Sequence, residues 1–269
     1  MKIGKEELSR LDLRPVFSRS PVDIIVPFHG EYHRVISLIQ SIWNMTQSNP
    51  YQVCLVDDAS ANQDFLEKFK SSYNPAGYYE NQILPVRSDK HLGFGGAVNL
   101  GLSKTKQPWV CILQSDCVIE NPNWLIEMGR SLVRLDKQNV HMVSARSNNP
   151  GDGYDPRLKA LRKEQSEDII LEDPDAALPL YCVMFQRELL NRIGGPLKEY
   201  SYGMYEDMEL AYRMRHHGFK QGICGKSWVR HYAGSTFTTI SHYVSNLEEI
   251  IEENRHRCIQ DIKSLKKTG

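Results

Sequence analysis

An α/β fold with a mostly parallel sheet flanked by helices is the architecture this sequence predicts, on three observations. Short β-branched runs alternate with segments of helical period through the first half of the chain, the order that builds parallel strands joined by crossover helices. The runs are largely apolar, as strands covered on both faces are. Charged or polar residues stand at the carboxyl ends of these runs, where open α/β sheets form their ligand crevice.

The elements follow in order. VDIIVPF, Val22 to Phe28, reads as the first strand, stopped by Pro27. Glu31 to Met45 carries Val35, Leu38, Ile39 and Ile42 at helical spacing. YQVCLVDDAS is a buried strand ending at Asp57 and Asp58, ANQDFLEKFK is helical, and ILPVRS is a third strand. GFGGAVNLGLSK opens a helix through glycines, and WVCILQSD is a fourth strand that exits at Asp116, with Asn121-Pro122 offering the next helix start.

The second half gives strands in HMVSA and LPLYCVMFQ and a short glycine-closed helix in RELLNRIGG. In YSYGMYEDMELAYRMRHHGFK, Met204, Met208, Leu210 or Ala211, and Met214 form an inward helical stripe. Two short strands, FKQGICG and WVRHYAGST, precede a long charged helix that starts near Ser241 and packs back on the domain. Arg146 to Pro174 is polar and poor in apolar residues, and a loop of that length predicts a mobile flap over a bound ligand.

With 269 residues, 41% hydrophobic and 25% charged, the chain can bury the core of one large or two small domains. Lys+Arg and Asp+Glu are 33 each, so net charge gives no reason to expect nucleic acid as a partner. No apolar segment approaches the roughly 18 to 20 residues of a membrane span, and the N-terminus lacks the apolar middle of a signal peptide. These features predict a cytoplasmic protein without a transmembrane segment, with room only for peripheral attachment to a membrane. The six cysteines are scattered and read as buried free thiols.

Asp116 raises the question of why a buried strand should end in a charge. At the strand's exit it can share a crevice with Asp57 and Asp58, and carboxylates gathered there call for a divalent cation. Glu206 and Asp207 open a helix, where the macrodipole favours anions.

The order IIVPFHGE, CLVDDAS, HLGFGGAVNLGL, CILQSDCVIENPNWL, LPLYCVMFQRELLNRIGG, YEDMELAYRMRHHGFK and RHYAGST resembles the family 2 glycosyltransferases of the GT-A fold, particularly rhamnosyltransferase-like bacterial members. The resemblance covers about residues 21 to 260. It implies a Rossmann-like sheet with an N-terminal extension over 1–20, a nucleotide-sugar-binding half over 21–116, an acceptor-binding half over 117–239 and a C-terminal helix over 240–269. It further implies inverting transfer of a hexosyl or deoxyhexosyl group from a UDP-, dTDP- or GDP-linked donor to a hydroxyl of a glycan or related acceptor, assisted by Mn²⁺ or Mg²⁺, in polysaccharide biosynthesis.

Carried over by position, Pro27, Phe28 and Glu31 border the nucleoside, Asp57 and Asp58 bind base or ribose, and Gly93, Asn99 and Ser115 complete the donor site. Asp116 matches the last acid of the D-x-D metal motif, His231 a histidine that helps hold the metal or diphosphate, and Asp207 the general base, with Glu206 beside it. Three positions depart from the pattern: Pro27-Phe28-His29-Gly30 replaces P-x-Y-N, His91 replaces an asparagine, and Gln114-Ser115-Asp116 replaces D-x-D. Gln114 offers no anionic oxygen, so affinity for free metal is expected to be weak and to need His231.

Other chemistries fit less well. A dinucleotide fingerprint would need glycine at Val98, and Glu31 is displaced from its place in H-E-x-x-H. A sugar nucleotidyltransferase and a non-catalytic nucleotide- or carbohydrate-binding module remain as the alternatives.

Overall fold

β-Branched runs become strands here because neighbours cover both of their faces. The computed structural model describes residues 20–46, 50–73, 82–151, 154–160, 164–232 and 244–268. Its first half alternates β1 (Val22–Phe28), α1 (Tyr32–Met45), β2 (Tyr51–Asp58), α2 (Phe65–Tyr73), β3 (Ile83–Ser88), α3 (Gly93–Lys104) and β4 (Trp109–Leu113). The second half holds β5 (Cys117–Ile119), α4 (Trp124–Leu135), β6 (Val140–Ser147), β7 (Ile169–Ile170), β8 (Cys182–Gln186), α5 (Glu188–Arg192), α6 (Glu206–His216), β9 (Lys220–His231) and α7 (Leu247–Thr268). The expected extension over 1–20 falls, apart from Ser20, outside the described residues, as do Ala233 to Thr236 of RHYAGST.

One sheet carries all nine strands of the described residues, in the order β3-β2-β1-β4-β8-β6-β9-β5, with β7 added on β9. Pairing is parallel from β3 through β4, the half where helical crossovers return each strand to the same end. β8 then runs antiparallel to both β4 and β6, while β6 and β9 are parallel. Alternate side chains of each strand enter opposite layers. Ile24, Val26 and Phe28 pack with Leu38 of α1, Phe65 of α2 and Trp124 of α4, and Ile25 packs with Val98 of α3, Leu189 of α5 and Leu210 of α6. Pro27 lies inside β1 without breaking the sheet, because the β4 partner of β1 stops at Ile25 and the proline needs no donor on that side.

The two short strands expected near the C-terminus are one strand, β9, with an interruption. Ala145 of β6 pairs with Cys224 and Arg146 with Trp228, so Gly225 to Ser227 bulge out between the two apolar runs. A Cβ on Gly225 would lie 2.2 Å from the Ser166 carbonyl oxygen, which explains the glycine.

The described residues of Arg146 to Pro174 are tied to the sheet rather than free. Arg146 belongs to β6, Ser147 bridges to Lys159, Leu158 is fully buried, and the Trp228 indole N–H donates to the Ala160 carbonyl at 2.9 Å. The methionine stripe also needs correcting. Leu210, Ala211 and Met214 face inward as expected, whereas Met204 and Met208 are 40% and 47% exposed. All six cysteines are buried and unpaired by disulfides, as their sequence context suggested. No helix among the described residues is long and apolar enough to cross a membrane.

Candidate active site

The carboxyl ends of β1, β2 and β4 open onto a cleft of about 450 Å³ whose far wall is the start of α6. β1 has parallel neighbours on both sides, the chain passing from β1 outward through β2 to β3 and then crossing back to β4 on the other side, so a crevice at this end follows from the topology. Pro27, Phe28, Asp58, Ser115, Asp116 and His231 line it on the sheet side.

Asp116 is brought to His231 by strand register. β5 follows the Gln114-Ser115-Asp116 turn and pairs antiparallel with the end of β9, setting Cys117 opposite His231, and Tyr232 N–H donates to the Asp116 carbonyl at 3.0 Å. Asp116 Oδ1 then lies 3.4 Å from His231 Nε2, both residues being buried. The imidazole is held on its other edge, where Nδ1 is 2.7 Å from the Asn149 carbonyl oxygen, while Tyr181 stacks on the ring at 4.9 Å. A carbonyl only accepts, so Nδ1 carries the hydrogen, and in the neutral imidazole Nε2 is then the acceptor that faces Asp116. Nε2 has no hydrogen bond among the described residues. Two acceptor atoms facing each other in a buried place fit a cation between them.

Cys117 completes a group whose ligand atoms lie within 4.8 Å of one another. Burial, and then the charge of Asp116, push its thiol well above the ordinary range, and its Sγ donates toward the Tyr181 carbonyl. A neutral thiol is a poor ligand for a hard ion, which leaves Asp116 and His231 as the donor set.

At the opposite wall α6 begins at Glu206-Asp207, the pair singled out in the sequence. Glu206 Oε1 accepts from Gly95 N–H at 3.2 Å, at the start of α3, and burial raises this carboxyl from 4.5 to about 8. A proton on Glu206 is therefore favoured by folding: the stabilisation is full below about pH 4.5 and is lost as pH rises through about 8. Glu206→Gln is expected to flatten the fall in Tm across that window by on the order of several degrees, measured by thermal melts in a pH series. Asp207 is half-buried and faces the cleft, with Oδ1 accepting from Met208 N–H at 2.8 Å and Oδ2 from the Tyr154 hydroxyl. Burial raises its pKa against the opposing pull of the Tyr154 hydrogen bond.

The approach to α6 is an unusual turn. Tyr202, Gly203, Met204 and Tyr205 all have positive φ, from 60 to 95. α7 holds this turn from behind: Asn254 Nδ2 donates to the carbonyls of Ser201 and Gly203 at 2.7 and 2.9 Å, and Tyr200 hydroxyl donates to Asp261 at 3.0 Å.

Several residues assigned to the donor by resemblance do other work. Asp57 is fully buried and ion-paired with Arg87, its cross-strand neighbour on β3, and accepts from Ser60 N–H, so it does not join Asp58 and Asp116 at the cleft. A buried carboxylate needs such a partner. Asp58 reaches the cleft yet caps α3, accepting from Leu92 and Gly93 N–H at 2.7 and 3.0 Å, and burial raises it to about 6. Gly93 serves through that N–H and through its lack of a side chain, since a Cβ there would sit 2.6 Å from the Tyr200 carbonyl oxygen. Asn99 ties α3 to Leu197 and Glu199, and Glu31 pairs with Arg34 beside the start of α1; neither lines the cleft.

The residues that sequence reasoning missed are His29, His91 and Tyr154. His29 and His91 meet edge to face at 4.7 Å, and His91 lies 3.5 Å from Asp58. Burial lowers His91 to about 4. Both sit where the family pattern was broken, which was the available signal.

Similarity to known proteins bears on the same region. y4gI, an uncharacterized protein of Sinorhizobium fredii (strain NBRC 101917 / NGR234), is 22% identical over 241 residues, which is 81% of this chain and 25% of that protein. A crystal structure of GalNAc-T7 with UDP, GalNAc and Mn²⁺ aligns with a TM-score of 0.60 at 18% identity, over 79% of this chain and 44% of that one. One of S. aureus TarS aligns with a TM-score of 0.56 at 16% identity, over 82% of this chain and 63% of that one. The chain thus spans a quarter of the length of y4gI and less than two thirds of either structure, and at these identities the likeness shows the GT-A fold. The model of glycosyl transferase family 2 matches residues 23–194, well over half of the chain, and on that match the chain belongs to this family.

Proposed function

We propose that this chain is an inverting glycosyltransferase that moves a hexosyl or deoxyhexosyl group from a nucleoside-diphosphate sugar to a hydroxyl of a glycan or related acceptor. The observation that carries the reading is one cleft with a buried carboxylate–imidazole pair, Asp116 and His231, on its sheet wall and a half-buried carboxylate, Asp207, on its helix wall. The family match and a GT-A neighbour solved with UDP and Mn²⁺ support it.

Asp116 and His231 would hold Mn²⁺ or Mg²⁺, and the imidazole favours Mn²⁺ of the two. When bound, such an ion neutralises the charge that grows on the diphosphate leaving group. The protein's own groups do the rest. Pro27, Phe28 and Asp58 line the end of the cleft suited to the nucleoside, beside His29 and His91. Asp207 takes the proton of the attacking hydroxyl, a role worth roughly 10² to 10⁴ in rate. Glu206, with its raised pKa, is the neutral neighbour that supports the turn.

The test is a thermal-shift panel of UDP, dTDP and GDP with their sugars, with and without Mn²⁺. A ligand held at 100 times its Kd adds about 2.7 kcal/mol of stability. At least one nucleotide is expected to stabilise the protein, and more so with Mn²⁺. A flat panel overturns the proposal.

A further inference from the structure

We infer that the Tyr154 phenol stands in for the acceptor hydroxyl on Asp207, keeping the base occupied and transfer to water suppressed until an acceptor displaces it. The inference rests on the reading of Asp207 as general base.

Both oxygens of Asp207 are engaged in this structure, and from different sides. Oδ1 accepts from Met208 N–H in its own helix, and Oδ2 accepts from the Tyr154 hydroxyl, which comes from the cleft. A hydroxyl donating to Oδ2 from the cleft has the pose that general-base catalysis requires of an acceptor. The phenol can hold that pose without reacting. Burial, and then the charge of Asp207, push it well above its ordinary range, so it donates a hydrogen bond and keeps its proton.

Tyr154 is also held in place. The chain on one side of it is pinned where Ala160 N–H donates to the Ser147 carbonyl at 2.7 Å and Leu158 is buried. On the other side Asn148 exchanges hydrogen bonds with the His231 backbone, at 2.8 and 3.2 Å, and Asn149 fixes the His231 ring. A Cβ on Gly151 would come within 3.2 Å of the Tyr154 ring, so the glycine leaves room for it. One segment therefore fixes the imidazole at one wall of the cleft and covers the carboxylate at the other.

In transfer, the acceptor oxygen bonds to the anomeric carbon as the bond from that carbon to the diphosphate oxygen breaks. The electron pair leaves with the nucleoside diphosphate, and the acceptor proton goes to Asp207 Oδ2. Water in the acceptor's place would follow the same course and release free sugar. The phenol occupies that place, so water is not activated there.

The experiment compares wild type with Tyr154→Phe by two readouts. The first is nucleoside diphosphate released, without acceptor, from UDP-, dTDP- and GDP-sugars in Mn²⁺. The second, which needs no donor, is labelling of Asp207 by carbodiimide and glycine ethyl ester, read by peptide mass spectrometry. We expect both to rise, hydrolysis by about tenfold or more, the factor expected when a hydrogen bond to a charged acceptor stops competing. Local loosening could raise the labelling alone, but a damaged fold would not speed hydrolysis, so the two gains together carry the inference. Unchanged labelling overturns the inference, and so does increased labelling with slower hydrolysis, which would make the phenol a support of the base. Increased labelling with no sugar nucleotide consumed by either protein would refute the transferase reading while leaving Tyr154 as the group that covers Asp207.

Discussion

Asp116→Ala is expected to abolish the extra stabilisation that Mn²⁺ gives to a bound nucleoside diphosphate. In wild type the complex at 100 times its Kd should gain about 2.7 kcal/mol, several degrees in Tm for a chain of this size. In the variant the curves with and without Mn²⁺ should coincide. The reason is the facing pair: His231 Nε2, the acceptor nitrogen of the neutral imidazole whose Nδ1 bonds the Asn149 carbonyl, lies 3.4 Å from Asp116 Oδ1. With Gln114 beside it unable to offer an anionic oxygen, removing Asp116 leaves one neutral ligand. The backbone bond from Tyr232 to Asp116 does not depend on the side chain, so the pairing of β5 with β9 that frames the site is expected to persist in the variant. A variant that keeps the Mn²⁺ effect would place the metal elsewhere.

Asp207→Asn carries the second large effect. Its turnover, followed as nucleoside diphosphate release over a panel of glycan acceptors, should drop by at least about 10². Asparagine keeps an oxygen for Met208 N–H and can donate to the Tyr154 oxygen, so the local structure is retained while the proton acceptor is lost. Glu206→Gln should lose less, since Glu206 is fastened to Gly95 and already favours its neutral form. Near-normal turnover in a stable Asp207→Asn protein would reduce Asp207 to a helix-start acid, worth about 0.3 to 1 kcal/mol.

Elements whose signal is local could be read from the sequence. β1, β2, β3 and β4 are largely apolar runs with polar residues at or just past their ends, and α3 begins at the first glycine of its motif, where the structure has it. What the chain does not spell out is decided by partners far away in sequence. β5 has three residues and exists because β9 pairs with it, so Cys117–Ile119 carries no strand signal of its own. The same holds for β8, whose antiparallel direction comes from where it is inserted, between β4 and β6.

Asp116, Glu206 and Asp207 stood out in the sequence because a carboxylate at a strand exit or a helix start is chemically conspicuous, and the structure sets them on one cleft with His231, which only the resemblance had picked out. Asp57 was misplaced toward the cleft because adjacent residues of a strand point to opposite faces, and only β3 shows that Arg87 waits on the face Asp57 takes. Met204 and Met208 matched a helical period, yet Met204 precedes the helix and the opening of the cleft lies beside Met208. Tyr154 was hidden in a segment whose polar composition suggested mobility, although an aromatic ring in such a stretch usually has something to pack on.

The turn before Glu206 has a bearing on attempts to engineer this protein. Left-handed backbone at a non-glycine residue costs on the order of 1 to 3 kcal/mol, and Tyr202, Met204 and Tyr205 all adopt it, one after another around Gly203. A screen for heat resistance will be drawn to these positions, because glycine or asparagine there relieves the cost. The same side chains line the cleft beside the carboxylates of α6. Heat resistance and the shape of the cleft therefore compete for the same few codons, and a variant selected for thermostability alone will tend to carry an altered cleft.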